Sequence, residues 1–275
     1  MKLGSREFFG KTGLALNGDG FSVAASRYEP WQEQPWHTHE NPTFFLQLGG
    51  HHIDECSLGS WEQPSLSLSY HPTHSSHRSR IGEISLTGIN VEVQESWLQE
   101  YAIDLNALGG QRIIRSESAT LAGLKLAECF TSATPHGLDE LVFEVISEFA
   151  PEAWGVAAWT PWLPRVEEKL RTHFREAVSL RSLADEAQVH PVHLARVFRS
   201  KHGCSISDYK LRLRLVEVAR LVLEEGRSLG EASLDVGFHD QFHLSKAFKR
   251  TMGFPPLRLR EIAHRFYVSN VHGNG

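Results

Sequence analysis

The chain has 275 residues, 41% hydrophobic and 22% charged, a composition that fills ordinary cores and a length that predicts two domains. Its net charge of −5 argues against a nucleic-acid partner until it is divided by position: residues 1–164 hold 9 Lys+Arg against 20 Asp+Glu, and residues 165–275 hold 19 against 13. Three scattered cysteines, Cys56, Cys129 and Cys204, exclude a disulfide framework and fit a reducing cytoplasm. Met1 to Phe21 lacks the apolar core of a signal peptide, and no stretch is long and apolar enough to span a membrane, so no membrane partner is expected.

Residues 1 to about 115 read as β structure. Thr43–Leu48, Ser65–Tyr70 and Ile84–Val93 alternate apolar and polar side chains, and Gly49-Gly50, Gly59, Pro72 and Gly82 break them up. Many short strands between turn signals predict a small barrel or sandwich. This region is rich in histidine: His37, His39, His51, His52, His71, His74 and His77. After Ser116 the period becomes helical. Leu121, Leu124, Ala127 and Cys129-Phe130 suit one helix, and Leu138, Leu141, Val142, Val145, Ile146 and Phe149 a second, with Pro135-His136-Gly137 between them. Pro151 to Pro164, with Trp154, Trp159 and Trp162, reads as a hinge or linker. A helix from about Arg165 to Phe174 opens the C-terminal domain.

Inside that domain one motif is written twice, about fifty residues apart. The first copy is Ala184, Ala187, Val189, Leu194, Val197, Phe198, Gly203; the second is Ser233, Val236, Phe238, Leu244, Ala247, Phe248, Gly253, with one extra residue in its middle. Each reads as a short helix, a tight turn and a longer helix ending in glycine, which is a helix-turn-helix unit. Ser179 is placed to cap the first short helix, Ser228 and Glu231 form a capping box at the second, Pro191 suits the first turn of one longer helix, and Asp240 can cap the other. Between the copies, Tyr209 to Leu223 reads as one helix with Leu211, Leu215, Val218, Ala219 and Val222 on its apolar stripe. Such a rod, roughly 22 Å long, could hold two recognition helices about one DNA turn apart. Phe198, Phe238 and Phe248 fall at helical spacing with other apolar residues and are expected in the core rather than against bases.

Residues 165–262 resemble the DNA-binding domain of the AraC/XylS family of bacterial transcription regulators. The motifs that carry the resemblance are Leu183-Ala184-Asp185-Glu186-Ala187, His193-Leu194-Ala195-Arg196-Val197-Phe198, Arg214-Leu215 with Ala219, and above all Val236 through Lys249 followed by Gly253-Phe254-Pro255-Pro256. Departures are Ala232-Ser233, where a larger apolar residue and then Ala are usual, and His190, where a capping Ser is common. The front domain resembles, through Trp36-His37-Thr38-His39 and Pro72 followed by His77, the cupin-like effector domain found in this family. The resemblance implies an α+β chain: a cupin-like barrel over 1–115, a helical dimerisation segment and linker over 116–160, and an all-α DNA-binding domain with two helix-turn-helix units over 161–275.

Direct readout needs side chains on the exposed face of each recognition helix, near its N-terminal end. The candidates are Val192, Ala195 and Arg196 in the first unit, and Gln241, Phe242, His243, Ser245 and Lys246 in the second. Arg196 could pair with guanine, and Val192 and Ala195 could touch thymine methyls. Arg199, Lys201, Lys249 and Arg250 are the expected phosphate contacts. His193 is expected to pack against a neighbouring helix.

Effector-pocket candidates are His37, His39 and His77. His-x-His with a distant third His can bind a transition metal. A metal cupin, however, adds a Glu about four residues after the second His, and Thr43-Phe44 stands there. A pocket for a small organic effector is therefore expected, with no metal or other cofactor. The leading expectation is a non-enzymatic, effector-controlled regulator with double-stranded DNA as partner, acting as a homodimer; the family implies activation more often than repression and allows contact with RNA polymerase. The alternative is a metal-dependent cupin enzyme with a DNA-binding tail, against which the absent Glu counts. DNA-repair methyl acceptors that carry the same kind of tail need Cys in a Pro-Cys-His context, which none of the three cysteines has.

Overall fold

The computed structural model describes residues 1–100, 103, 105, 110–131, 137–149, 160–176 and 178–266. The chain divides into two compact units, Met1–Ala150 with Arg258–Gly275, and Pro151–Leu257.

The first unit begins with β1 (Lys2–Leu3), β2 (Lys11–Gly18), β3 (Phe21–Tyr28), β4 (Thr38–His39), β5 (Thr43–Gly49), β6 (His52–Cys56), β7 (Gly59–Gln63), β8 (Ser67–His71), β9 (His77–Ile81) and β10 (Leu86–Val93). A short helix α1 (Glu95–Glu100), a strand β11 (Arg112–Ile114) and helices α2 (Glu117–Cys129) and α3 (Leu138–Ser147) follow. One sheet has six strands in the order β11-β8-β5-β10-β3-β2, a second has three in the order β7-β6-β9, and β1 pairs with β4 in parallel. Neighbours within the two larger sheets are all antiparallel.

Successive side chains of a strand point to opposite faces, and β5 is covered on both. Phe44 stacks on Tyr70, with ring centroids 5.1 Å apart, and meets Phe149 from the helical side at 5.1 Å. Phe45 turns the other way, toward Tyr28 at 6.0 Å and His52 of the small sheet at 5.9 Å. Thr43 and Gln47, whose polarity suggested a half-exposed strand, are as buried as the phenylalanines. Burial is tolerated because their polar atoms are paired: the Gln47 amide donates to the Gly50 carbonyl at 2.8 Å and its oxygen lies 2.8 Å from His52 Nδ1.

The helices lie on the sheet as the apolar period required. Leu121, Leu124, Leu126, Val142, Val145 and Ile146 are all buried within this unit. Gly123 permits the close approach of α2 to β5, since a Cβ there would lie 2.5 Å from Leu46 Cδ1. Helix α1 falls within the region expected to be all β; it forms because Trp97 and Leu98, one turn of helix, both bury, Trp97 against Phe21 at 6.0 Å. The buried carboxylate of Glu92 accepts from Ser5 Oγ at 2.6 Å, the Arg6 amide at 2.8 Å and Asn41 at 2.9 Å. Those bonds pin the N-terminal segment whose Phe8 and Phe9 border the histidines described below.

The second unit contains α4 (Leu163–Thr172), α5 (Leu180–Ala187), α6 (Pro191–His202), α7 (Ile206–Leu223), α8 (Leu229–Asp235) and α9 (Gln241–Met252). Most of the expected hinge, including Trp154 and Trp159, lies outside the described residues. Its end does not behave as a linker: Trp162 is buried and Pro164 sits in the first turn of α4, where a missing amide hydrogen costs no helical bond. Trp162, Leu163, Val166 and Leu170 share a core with Leu183, Ala184, Leu194, Phe198, Tyr209 and Leu213.

Helix α7 is longer than its apolar stripe suggested, 18 residues or roughly 27 Å. Its buried residues include Tyr209 and Leu213 as well as Leu215, Val218, Ala219 and Val222, whereas Leu211 is only half-buried. A rod gripped on more than one side does not show a single stripe. Ser205 caps it, accepting from the Asp208 amide at 3.1 Å, so Ser205→Ala should cost about 1 kcal/mol, read as a lower urea midpoint at unchanged slope.

The last helix, α10 (Arg258–Phe266), belongs with the first unit. Arg258 pairs with Glu128 of α2 at 3.1 Å, and Phe266 meets Phe130 edge-on at 6.2 Å.

Candidate nucleic-acid interface and histidine cluster

Helices α6 and α9 are each started by a local cap. His190 takes the place of the usual serine: its Nδ1 accepts from the Val192 amide at 3.3 Å, with Pro191 in the first turn. Asp240 accepts from the His243 amide at 2.7 Å. That backbone bond, followed by the contact with His239, holds the Asp240 carboxyl below its ordinary range. Both helices end on a left-handed glycine, Gly203 and Gly253. In the turn before α9, Gly237 has φ +84°, and a Cβ would lie 2.6 Å from the Arg175 carbonyl oxygen. The first copy bends at Gln188 instead, with φ 54°, a conformation costly for a residue with a side chain.

The two helices bury matching faces and expose matching faces. Leu194 and Phe198 are buried in α6, and Leu244 and Phe248 in α9. On the opposite side, residues 192, 195, 196 and 199 recur as 242, 245, 246 and 249, the i, i+3, i+4, i+7 spacing of one helical face. Each copy therefore shows an apolar residue (Val192, Phe242), then a small half-buried one (Ala195, Ser245), then two cations (Arg196 and Arg199, Lys246 and Lys249). Val192 is 69% exposed and Phe242 87%. Side chains so exposed contribute nothing to folding, and each would gain by leaving water.

The other candidates fall around this face. Gln241 and His243 are exposed in the first turn of α9, and His243 stands edge-on to Phe238 at 5.3 Å. His193 packs against Trp162 at 6.0 Å and lies 3.4 Å from an Arg196 guanidinium nitrogen. Among the described residues no ion pair engages Arg199, Lys246, Lys249 or Arg250. Lys201 differs, because it closes an ion pair with Glu167 at 2.8 Å. Burial opposes ionisation of Glu167, but the bonds from His202 and Lys201 prevail and hold its carboxyl at about 2. Lys201 thus has a partner within its own unit, which weakens its place among the phosphate contacts.

In the first unit the structure brings His37, His39 and His77 together. All three are buried, and the His37–His77, His37–His39 and His39–His77 ring centroids are 4.1, 5.1 and 5.2 Å apart. Two residues that were not among the candidates complete the group. His71 stacks on His77 at 4.2 Å, and its Nε2 lies 2.8 Å from Oδ2 of the fully buried Asp54. Asp54 also accepts from Ser79 Oγ at 3.0 Å and from the Gln111 amide. The missed signal was the alternation of His52, Asp54 and Cys56, the inward-facing positions of β6.

Burial pushes the four imidazoles toward neutrality. It lowers His39 and His71 to about 3, His77 to about 2 and His37 below its usual value, and repulsion among the rings adds to the effect. The cavity they border with Phe8, Phe9 and Phe45 has a free volume of about 40 Å³. Organic ligands occupy pockets of roughly 300–1,000 Å³, so the space as formed holds only a few atoms.

Comparisons with known proteins bear on the tail. Residues 183–262 match a family model described as a helix-turn-helix domain. The chain is 24% identical over 102 residues to the bifunctional transcriptional activator/DNA repair enzyme AdaA of Bacillus subtilis (strain 168), covering 37% of this chain and 48% of AdaA. It is 33% identical over 92 residues to the HTH-type transcriptional activator RhaS of Escherichia fergusonii, covering 34% of this chain and 33% of RhaS. The chain thus spans about half the length of AdaA and a third of RhaS. The structure of unsaturated fatty acid-bound ToxT from Vibrio cholerae aligns with 92% of this chain and 98% of its own at 12% identity and a TM-score of 0.39; at that distance the likeness says nothing about this chain's ligand. The capped, cation-bearing helices of the tail and the match over the same residues make residues 183–262 of this chain a helix-turn-helix domain of the AraC/XylS type.

Proposed function

We propose that this chain is a sequence-specific, DNA-binding transcription regulator controlled by a ligand in its front domain. The observation that carries the reading is the exposed face repeated at a shift of fifty residues on α6 and α9. Each face offers an apolar contact for a thymine methyl, a small residue that allows close approach, a cation for a base edge and a cation for a phosphate. Two such helices on either side of a stiff α7 suit neighbouring turns of one duplex, roughly 34 Å apart. Both copies would then work as helix-turn-helix units.

The functional division follows: a cupin-like sensory domain over 1–115, a dimerising and linking segment over 116–160, and a DNA-reading domain over 161–275. A homodimer, location in the cytoplasm, contact with RNA polymerase and activation rather than repression complete the reading. The chain is proposed not to be an enzyme, because the transcription regulators it matches share its tail and the three cysteines, the groups a repair methyl acceptor would need, are buried. A ligand bound in the front domain would act by favouring one of two arrangements of the protein.

Selection of bound sequences from random DNA is the direct test. A recovered consensus with two half-sites is expected; recovery of no preferred sequence would end the reading. Affinity should fall steeply with salt. Lys249→Ala should weaken specific and random DNA alike and reduce the slope of log K against log salt by about 1.

A further inference from the structure

Neither DNA reading nor the fold uses the lone pairs gathered between His37, His39, His71 and His77. One nitrogen of each ring in the set His37, His39 and His77 lies within 4.8 Å of the others, and the same holds for the ligand atoms of Asp54, His71 and His77. Three of the four rings have one nitrogen already engaged. His37 Nδ1 is 2.9 Å from the Pro35 carbonyl and His77 Nδ1 is 3.4 Å from the Ser75 carbonyl. A carbonyl only accepts, so His37 Nδ1 carries hydrogen and its Nε2 keeps a bare lone pair, and the longer His77 contact favours the same tautomer. His71, donating from Nε2 to Asp54, keeps its Nδ1 bare in the same way.

Anchoring the outer nitrogen of an imidazole on a carbonyl or carboxylate is how proteins orient a metal-ligating histidine. Where bare ring nitrogens of such a buried cluster face one another they repel, and a cation between them removes the repulsion. A cation that prefers neutral imidazole, of the zinc class, satisfies the site. With metal–nitrogen bonds of about 2.0–2.1 Å, tetrahedral ligand atoms stand roughly 3.4 Å apart, which small ring rotations reach from the present spacing. The free volume of about 40 Å³ is enough for an ion with a water.

We propose that His37, His39 and His77 bind a divalent transition-metal ion of the zinc class, with a water in the fourth position and His71, anchored on Asp54, stacked beside His77. Thr43 offers no carboxylate to this set; Asp54, from β6 on the facing three-stranded sheet, holds His71 beside it. This replaces the organic effector expected from the sequence. The ion as regulatory signal rests on the function proposed above, whereas its binding does not.

The test is made on the full, tag-free chain, stripped with chelator and dialysed, without DNA. Zinc chloride titrated by calorimetry should saturate at one ion per chain and raise the melting temperature. Cobalt(II) should give the intense visible bands of a tetrahedral site. His37→Ala and His77→Ala should each weaken zinc binding at least tenfold. His39→Gln, checked for folding by circular dichroism, should do the same, so that loss of binding is separated from loss of structure. His51→Ala, at the surface beside Glu62, should bind as the parent does. Absence of saturable binding by the folded parent, or undiminished binding by the folded His37 and His39 variants, would overturn the site. A chain that binds zinc but selects no DNA sequence would keep the metal site and lose the regulatory reading.

Discussion

Replacing Phe198 or Phe248 with alanine is expected to destabilise the second unit by about 3–5 kcal/mol in each case. Both rings are fully buried. Phe198 packs edge-on to Tyr209 at 5.2 Å and over His202 at 4.3 Å, and Phe248 meets Phe254 at 5.7 Å. Each truncation removes a large apolar side chain and leaves a space that helices tied to α7 cannot close. A typical domain holds only about 5–15 kcal/mol in all, so either change brings the unit close to unfolding, and the pair together should leave it unfolded. Urea denaturation followed by tyrosine and tryptophan fluorescence measures both. A loss below about 1 kcal/mol for either variant would show that these helices do not pack as described.

The second large effect falls on DNA. Arg196→Ala and Gln241→Ala should each weaken binding to the selected sequence by about 1–3 kcal/mol, roughly tenfold to a hundredfold, while random DNA is bound nearly as before. Arg196 is exposed, and its guanidinium is steadied by His193, itself held on Trp162. Gln241 is exposed in the first turn of α9, the end that enters the groove in this class of unit. Neither supports the fold, so melting temperatures should stay put. Equal losses on selected and random DNA would reassign both residues to the phosphates and leave Lys246 and Ser245 as the base-reading pair.

The contrast between these predictions reflects what each face of a helix must do. Phe198, Phe238 and Phe248 could be placed in the core from spacing alone, because the apolar stripe of a helix follows its 3.6-residue period wherever the partner lies. The caps at Ser179, Ser228 and Asp240 were equally legible, since capping is settled within four residues of chain. The exposed residues are each recognisable in the sequence, but their correspondence between 192–199 and 242–249 depends on where both helices begin and end.

The front domain is less legible. The sequence marks the strands at 43–49, 67–71 and 86–93, but not β2, β3, β6, β7 and β9, nor the helix at 95–100. A strand pattern assumes one wet face, and β5 has none, so Gln47 and Thr43 looked like surface residues. His71 and Asp54 stayed out of the candidate site because they lie 17 residues apart and meet only when β8 and β6 face each other.

From its order of residues alone this chain declared the repeated helix pairs of the tail, their caps and their basic character, because each depends on interactions within a few turns of one helix. Only the folded arrangement decided that four histidines and an aspartate share one buried space and that Lys201 has Glu167 as a partner. Those outcomes depend on contacts between residues 17 to 40 positions apart, and the distance between strands on different sheets is set by everything packed around them.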